Sequence, residues 1–182
     1  MEKRFELYPS FYLFKNVPNI PDGNETFEFD YAILHVGTRL NLMKKPLLNI
    51  EFDYYNNFQK YNQTDFITPS FKEQKSGLVI GLKYGTLKQK GDWIFEASYA
   101  NLQQYSAVDF MAQNDWARWD YSSFGSPDGR LTNFNGIELV AGFMIDEKVS
   151  LKMKYYLVEQ LIPYGITKET GNRIRLDLDI KI

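Results

Sequence analysis

The amino-acid sequence predicts an all-β fold, an antiparallel transmembrane β-barrel of about eight strands joined as an up-and-down meander. Polar and apolar residues alternate with a period of two in about eight segments, the pattern of strands with two different faces. Short and long connections also alternate along the chain. The chain is rich in Tyr (13) and Phe (14), whose flat rings pack well on a pleated surface. Its 182 residues fit one domain or barrel segment, residues 1–182.

The final segment, residues 172–182, shows the alternation most clearly. Its charged side chains share one face, and a helix would not separate them from the apolar side chains in this way. Eleven residues also suit a tilted strand that crosses a bilayer, which needs ~9–11. The apolar face contains Ile174, Leu176, Leu178, Ile180 and Ile182, and the charged face contains Arg173, Arg175, Asp177, Asp179 and Lys181.

Seven segments upstream complete the set. Five alternate regularly: residues 46–55, 76–85, 92–102, 136–145 and 148–157. In residues 26–43 the apolar positions change from odd to even numbers, which predicts a β-bulge near Ile33. Residues 4–14 contain Pro9, which lacks a backbone N–H and is tolerated mainly at sheet edges or bulges.

The connections favour a membrane barrel over a soluble one. Residues 43–46, 87–92 and 146–148 form tight turns, whereas residues 17–26, 57–75, 103–135 and 159–171 form longer loops. Membrane barrels have short periplasmic turns and long extracellular loops, so every tight turn would lie on the periplasmic side. A soluble lipocalin-like barrel has the same alternation with its faces reversed, and it stays open as an alternative.

Composition excludes several other classes. The formal net charge of −2 argues against a nucleic-acid partner, and the absence of Cys removes disulfide scaffolds and Cys-based zinc sites. No apolar run is long enough for a transmembrane helix. The N-terminal residues lack the apolar segment of a secretory signal, so the sequence is expected to be a mature form or a fragment.

Several stretches resemble the C-terminal part of the bacterial "putative porin" outer-membrane family. They are GDWIFEASYANLQQYSAVDFMAQNDW, NFNGIELVAGFMIDEKVSLKMKYYLVE, NRIRLDLDIKI and the upstream HVGTRLNLMKKPLLNIEFDYYNN. The resemblance covers roughly residues 30–182 and implies a Gram-negative outer-membrane channel, inserted by the barrel assembly machinery. Family members are generally longer and often end in Phe, where this chain has Ile182.

The charged faces of the strands are candidate pore-lining positions. They would set ion selectivity in a wide barrel or pair with one another in a narrow one, and their mixed signs predict no strong preference. The candidates are Glu51, Asp53, Lys83, Glu96, Glu138, Lys152, Lys154, Arg173, Arg175 and Asp177.

The acidic and aromatic loop of residues 105–134 has two interpretations. It either folds into the lumen as a constriction or caps the rim, and we favour the cap because long extracellular loops are ordinary in this class. Aromatic residues near strand ends are expected to form interfacial girdles, namely Tyr54, Tyr55, Tyr84, Trp93, Phe95, Tyr99 and Tyr155. The charged loop residues are Asp109, Asp115, Arg118, Asp120, Asp128 and Arg130, with Trp116, Trp119, Tyr121 and Phe124 among them.

Nothing in the sequence indicates catalysis or a cofactor. The single histidine, His35, lies mid-strand without a second metal-binding side chain beside it, and the two Pro-Asp-Gly stretches at 21–23 and 127–129 are turn sequences. We therefore expect a non-enzymatic porin-like channel that passes small polar solutes. A homo-oligomer is open, and a small structural or adhesive barrel without conductance is the other membrane alternative.

Overall fold

The computed structural model describes residues 4–19, 27–62, 65, 67–121, 123, 126 and 129–181. It contains one antiparallel sheet whose strands follow one another in chain order, as the meander prediction requires. The strands are β1 (Phe5–Pro18), β2 (Glu28–Lys44), β3 (Leu47–Asn57), β4 (Ser76–Gly85), β5 (Trp93–Leu102), β6 (Phe134–Asp146), β7 (Val149–Gln160) and β8 (Thr170–Ile180). Ile182, predicted to end the apolar face of the last strand, lies outside the described residues.

The sheet is open. Each strand pairs with its neighbours in sequence, but in the described chain β1 and β8 do not pair with each other. A closed barrel of these eight strands is therefore not what the structure contains. Within the described segments the chain also forms no α-helix of the length and hydropathy needed to cross a membrane.

The connections alternate in length as predicted. The strands have short connections at one end and long connections at the other. The turns of residues 45–46, 86–92 and 147–148 lie at the first end, and the loops of residues 58–75, 103–133 and 161–169 lie at the second. Two short 3₁₀ turns, Pro69–Phe71 and Asp109–Met111, occur in the loops. We call these two ends of the strands the turn end and the loop end.

The two faces of the sheet differ in exposure. In β2 the odd-numbered residues Phe29 to Gly37 are buried, and the even-numbered residues between them are partly exposed. The β5–β6 loop reaches both outermost strands of the sheet on the buried side: the Arg130 guanidinium donates to the carbonyl of Asn19, just after β1 (2.9 Å), and the guanidinium of Arg175 on β8 donates to Asp115 (2.7 Å). Because one loop reaches both outermost strands, the sheet curves around it. We call the concave side the inner face and the convex side the outer face.

The bulge predicted near Ile33 is wrong. Pairing of β2 with β1 and β3 is regular through Ile33. The irregularities of these pairings lie in β1 between Phe14 and Val17, where Asn16 has φ 54°, and in β2 between Asn41 and Met43. The apolar odd residues of β2 keep to the inner face, where loop side chains cover them, and the apolar even residues Leu34 and Val36 lie on the outer face, so the change from odd to even needs no bulge. Pro9 lies on edge strand β1, opposite Val36, as its missing N–H predicts.

Candidate functional site

The inner face has two zones along the strands. The half near the loop end, the upper zone, is apolar and covered by loops. The half near the turn end, the lower zone, carries ionisable side chains. The register places both zones on the same strands: Ile33 and His35 of β2 belong to one zone and Arg39 to the other, with Gly37 between them.

Two hydrophobic clusters fill the upper zone. In the first, β1 and β2 pack against three loops, through Val17, Phe29, Tyr31, Ile33, Tyr61, Ile67, Phe71, Tyr105 and Val108, with Ile162 and Tyr164 at its edge. In the second, the β5–β6 loop packs on β5, β6 and β7, through Ala100, Ala117, Trp119, Phe134, Tyr156 and Val158. The long loops are therefore parts of one packed layer.

Asn57 connects these loops through hydrogen bonds. Its side-chain amide donates to the Tyr61 hydroxyl and to the Tyr105 carbonyl, both at 2.9 Å, and its Oδ1 accepts from the backbone of Ala32 at 3.0 Å. Burial keeps the neighbouring phenols neutral, raising the pKa of Tyr61 and raising the pKa of Tyr105 to about 12. A fully satisfied buried amide of this kind holds the loop conformation in place.

The β5–β6 loop descends onto the inner face, which differs from the favoured rim-cap interpretation. Trp116 packs against Phe134 and Tyr156, with ring centroids 5.6 and 5.7 Å apart. Asp115 accepts two hydrogen bonds from the Arg175 guanidinium (2.9 and 2.7 Å), and backbone carbonyls of Asn114 and Asp115 accept from Arg173. Asp115 is thus the predicted loop charge that meets the strand charges.

The other predicted loop charges hold the loop together instead of facing the inner surface. Asp109 is buried and accepts hydrogen bonds from the backbone N–H groups of Leu131 and Thr132 and from the Thr132 hydroxyl, while Arg130 lies 3.5 Å away. The Arg118 guanidinium stacks over Tyr121 at 5.0 Å. Asp120 adopts a positive φ of 50° and accepts from Ser123. Phe124 and Asp128 lie outside the described residues.

All ten predicted strand charges lie on the inner face, and most have a partner there. Lys83 pairs with Glu96 (2.6 Å) and Lys154 with Asp177 (3.5 Å), each across a strand pair. Arg175 also pairs with Asp177, at 2.6 Å. Partners from outside the set are Arg39 for Glu51 (2.7 Å), His35 for Asp53 (2.7 Å), Asp179 for Lys152 (2.9 Å) and Asp115 for Arg173 and Arg175, and Glu138 lies opposite Ser98 and Tyr156.

The candidate set left out Glu6, His35, Arg39 and Asp179, which also lie on the inner face, although Asp179 had already been assigned to the charged face of the last strand. His35 stacks on Tyr55 with centroids 4.6 Å apart, so Tyr55 also lies inside and is not a girdle residue. The odd-numbered residues Phe29 to Ile33 face inward, and the same alternation continued along β2 would have placed His35 and Arg39 on the inner face. Gly37 lies on the inner face as well, where the Tyr8 ring occupies the space that a side chain at position 37 would need.

The arrangement can attract and guide charged or polar solutes, and it shows no metal centre. The described segments contain no group of three or more His, Asp or Glu side chains placed to hold a metal ion. Comparison of the chain with protein-family models, with curated protein sequences and with solved structures found no match. The features of the chain that bear on function are therefore the two faces of the sheet and the loops packed on the inner one.

Proposed function

We propose that the chain forms part of the wall of a porin-like channel in the outer membrane of a Gram-negative bacterium, through which small polar solutes diffuse. One observation carries the proposal, a continuous apolar band that crosses the outer face of all eight strands. The charged side chains that point outward on the described strands lie beyond the band, Glu28, Asp30 and Glu159 towards the loop end and Asp146 at the turn end, so none of them interrupts it. From β1 to β8 the band includes Phe5, Leu7, Phe11, Leu34, Val36, Leu40, Ile50, Phe52, Ile80, Leu82, Phe95, Tyr99, Ile137, Leu139, Leu151, Met153, Leu157, Ile174, Leu176 and Leu178.

A band of this size is costly in water. Exposed apolar surface costs about 25 cal/mol per Å², and monomeric soluble proteins rarely expose apolar patches beyond ~300–600 Å². Eight strands spaced ~4.8 Å apart make the band about 35 Å wide. Many of its side chains are well exposed, including Leu176 at 67% and Ile174 at 68%. Hydrocarbon removes this cost, so the outer face is suited to lipid.

The limits of the band also suit a bilayer. Towards the loop end the outward positions become polar, at Asn56, Asn101, Asn135 and Asn172. Towards the turn end they become aromatic, at Tyr84, Trp93, Phe95 and Phe143, where Trp93 packs on Phe143 with centroids 4.7 Å apart. Aromatic girdles flank the apolar band of such barrels at the membrane interfaces, and short turns are characteristic of their periplasmic side, so we assign the turn end to the periplasm on the length of its turns.

The free edges of β1 and β8 require further strands. Hydrocarbon offers no hydrogen-bonding partner to backbone groups, so sheets cross it only as closed barrels. The eight strands here curve around a folded loop without meeting, and a wider barrel would leave room for water beside the lower zone. We propose that strands beyond these eight close the barrel.

The soluble alternative is less compatible with this arrangement. A lipocalin-like barrel encloses its apolar face and exposes its polar face, whereas here the charged face is the concave one. The non-conducting membrane barrel is favoured by one observation, the loop layer that fills the upper zone. Ion conductance in planar bilayers separates it from a channel.

Two adjacent residues on opposite faces of β5 test membrane embedding. Ala97 points outward in the middle of the band, and Ser98 points inward opposite Glu138. Arginine near the bilayer midplane of a barrel costs ~2–4 kcal/mol on the lipid face. We expect Ala97→Arg to prevent insertion into liposomes and to abolish the heat-modifiable band on SDS gels. Ser98→Arg, which introduces the same charge beside an acid, should retain both. Equal tolerance of the two variants, or solubility without detergent, would contradict the proposal.

Engineered cysteines test how the barrel closes, since the chain contains no native Cys. Phe11→Cys on β1 and Leu176→Cys on β8 place thiols on the two free edges. In the membrane-inserted protein, a wider barrel predicts no intramolecular disulfide. Efficient intramolecular oxidation would instead indicate direct closure of the eight strands and favour the non-conducting barrel.

A further inference from the structure

A cavity of about 470 Å³ lies beneath the β5–β6 loop, between the loop and the inner face. Six strands contribute to its wall, each through an inward-facing side chain: Tyr12, Ile33, Tyr55, Val79, Ala100 and Phe134. Loop residues Val108, Ala112 and Trp116 cover it. It is therefore a chamber at the boundary between the upper and lower zones.

The lining is apolar and aromatic. Rings of Tyr12, Phe14, Tyr55, Trp116 and Phe134 meet there, with Ser106 and Gln113 among the few polar side chains. An engineered apolar cavity of ~150 Å³ binds benzene, and natural ligand sites fall in the range of ~300–1,000 Å³. The chamber therefore has room for a molecule larger than a single ring.

The cavity walls are held in place independently of a ligand. Trp116 packs on Phe134 and Tyr156, and Tyr55 stacks on His35, which pairs with Asp53. On the loop side, Asp115 next to Trp116 binds Arg175. Rings fixed in this way present their faces and edges to a guest without further loss of side-chain freedom, which favours aromatic guests over flexible ones.

We infer that this chamber is a binding site for a small, largely apolar molecule that contains an aromatic ring. The ring lies among Tyr55, Trp116 and Phe134, and any polar substituent points to the charged lower zone. Binding depends on the cavity alone. A role of this ligand as a solute that crosses the channel would rest on the proposed function.

The test uses fluorine NMR of 4-fluorophenol titrated with the full chain in detergent, with 2-fluoroethanol as a non-aromatic control. Ala100 and Ala112 line the cavity, so Ala100→Phe and Ala112→Phe should occupy it. Ala97→Phe places the same side chain on the outer face of β5 and serves as the matched control. All variants share one detergent concentration, so partition of the probe into micelles is constant.

We expect saturable broadening of the 4-fluorophenol signal by the original protein and by Ala97→Phe, with affinity at least about tenfold weaker in both cavity variants. Equal or non-saturable broadening in every variant would overturn the inference, as would equal binding of 2-fluoroethanol. If Ala100→Phe does not fold, Ala112→Phe decides the outcome. If the protein proves soluble without detergent, the channel proposal fails, and the same titration in buffer still tests the chamber.

Discussion

The upper and lower zones of the inner face are built on the same strands with the same alternation, yet they are stabilised differently. The upper zone is covered by loops and closely packed, with Phe134 at 1% and Tyr156 at 0% exposure. The lower zone consists of partly exposed ion pairs, and the side chains of Lys83 and Glu96 remain 39% and 31% exposed. Packing should therefore determine stability near the loop end, and charge should determine solute preference near the turn end.

The largest expected effect is from truncation of Phe134 in the upper zone. Removal of a buried Phe side chain typically costs 3–5 kcal/mol, through lost burial and the remaining cavity. We expect Phe134→Ala to lower the free energy of unfolding by about 3–5 kcal/mol in denaturant titrations in liposomes. Phe143→Ala is the control, since Phe143 lies on the same strand on the outer face near the turn end. A similar loss in both variants would contradict the division into zones.

The next effect concerns Asp109, whose carboxylate holds the returning end of the β5–β6 loop. Its replacement by Ala leaves the buried N–H groups of Leu131 and Thr132 without their acceptor. A buried donor left unsatisfied costs about 1–3 kcal/mol, so we expect Asp109→Ala to reduce stability by that amount and to expose the loop to limited proteolysis. Glu73→Ala is the matched acidic control, because the Glu73 side chain is 71% exposed and pairs with Lys75 at 3.4 Å. Unchanged proteolysis in Asp109→Ala would argue against the assigned role.

These two sites also show what the sequence could and could not predict. The period-two pattern predicted all eight strands, and loop length predicted the two ends, because both are local properties of the chain. The pattern could not separate apolar residues that face loops from those that face outward. Phe29 and Ile33 were therefore assigned to a bulged strand, whereas loop side chains cover them on the inner face. Once that phase was misassigned, His35 and Arg39 were not recognised as inner-face residues.

Long-range contacts limited the prediction of the loop in a different way. Asp115 meets Arg175, sixty residues away in sequence, and Arg130 meets Asn19 across an even larger separation. Composition could identify the loop as charged and aromatic but not which charge reaches the sheet. Closure of the sheet is equally hard to predict from sequence, since it depends on whether β1 and β8, at opposite ends of the strand order, meet.

Alkaline pH should lower the stability of the upper zone, by less than the two substitutions above. Burial raises the pKa of Tyr105 to about 12, whereas in the unfolded chain a Tyr ionises near pH ~10. The folded protein therefore holds this proton more tightly, and the stabilisation is complete below pH ~10 and is lost as the pH rises towards 12. At pH 11 we expect a loss of about 1 kcal/mol from this residue. Absorbance at 295 nm should show delayed phenol ionisation, and Tyr105→Phe should reduce the amplitude of that late component by one tyrosine, because Tyr61 also ionises late. An unchanged late amplitude in Tyr105→Phe would exclude Tyr105 as a contributor.

The smallest effect on stability, and the one most specific to the lower zone, is expected from Lys83→Met. An exposed ion pair contributes about 0–1 kcal/mol, so unfolding should hardly change. Glu96 then loses its partner on the inner face, and in the proposed channel the added negative potential should favour cations. In planar bilayers under a salt gradient, the reversal potential should shift towards cation selectivity. Lys88→Met removes the same charge from the β4–β5 turn, away from the strand ladder, and should shift it less. An equal shift in both variants would mean that net charge, and not the position of Lys83 on the inner face, controls selectivity.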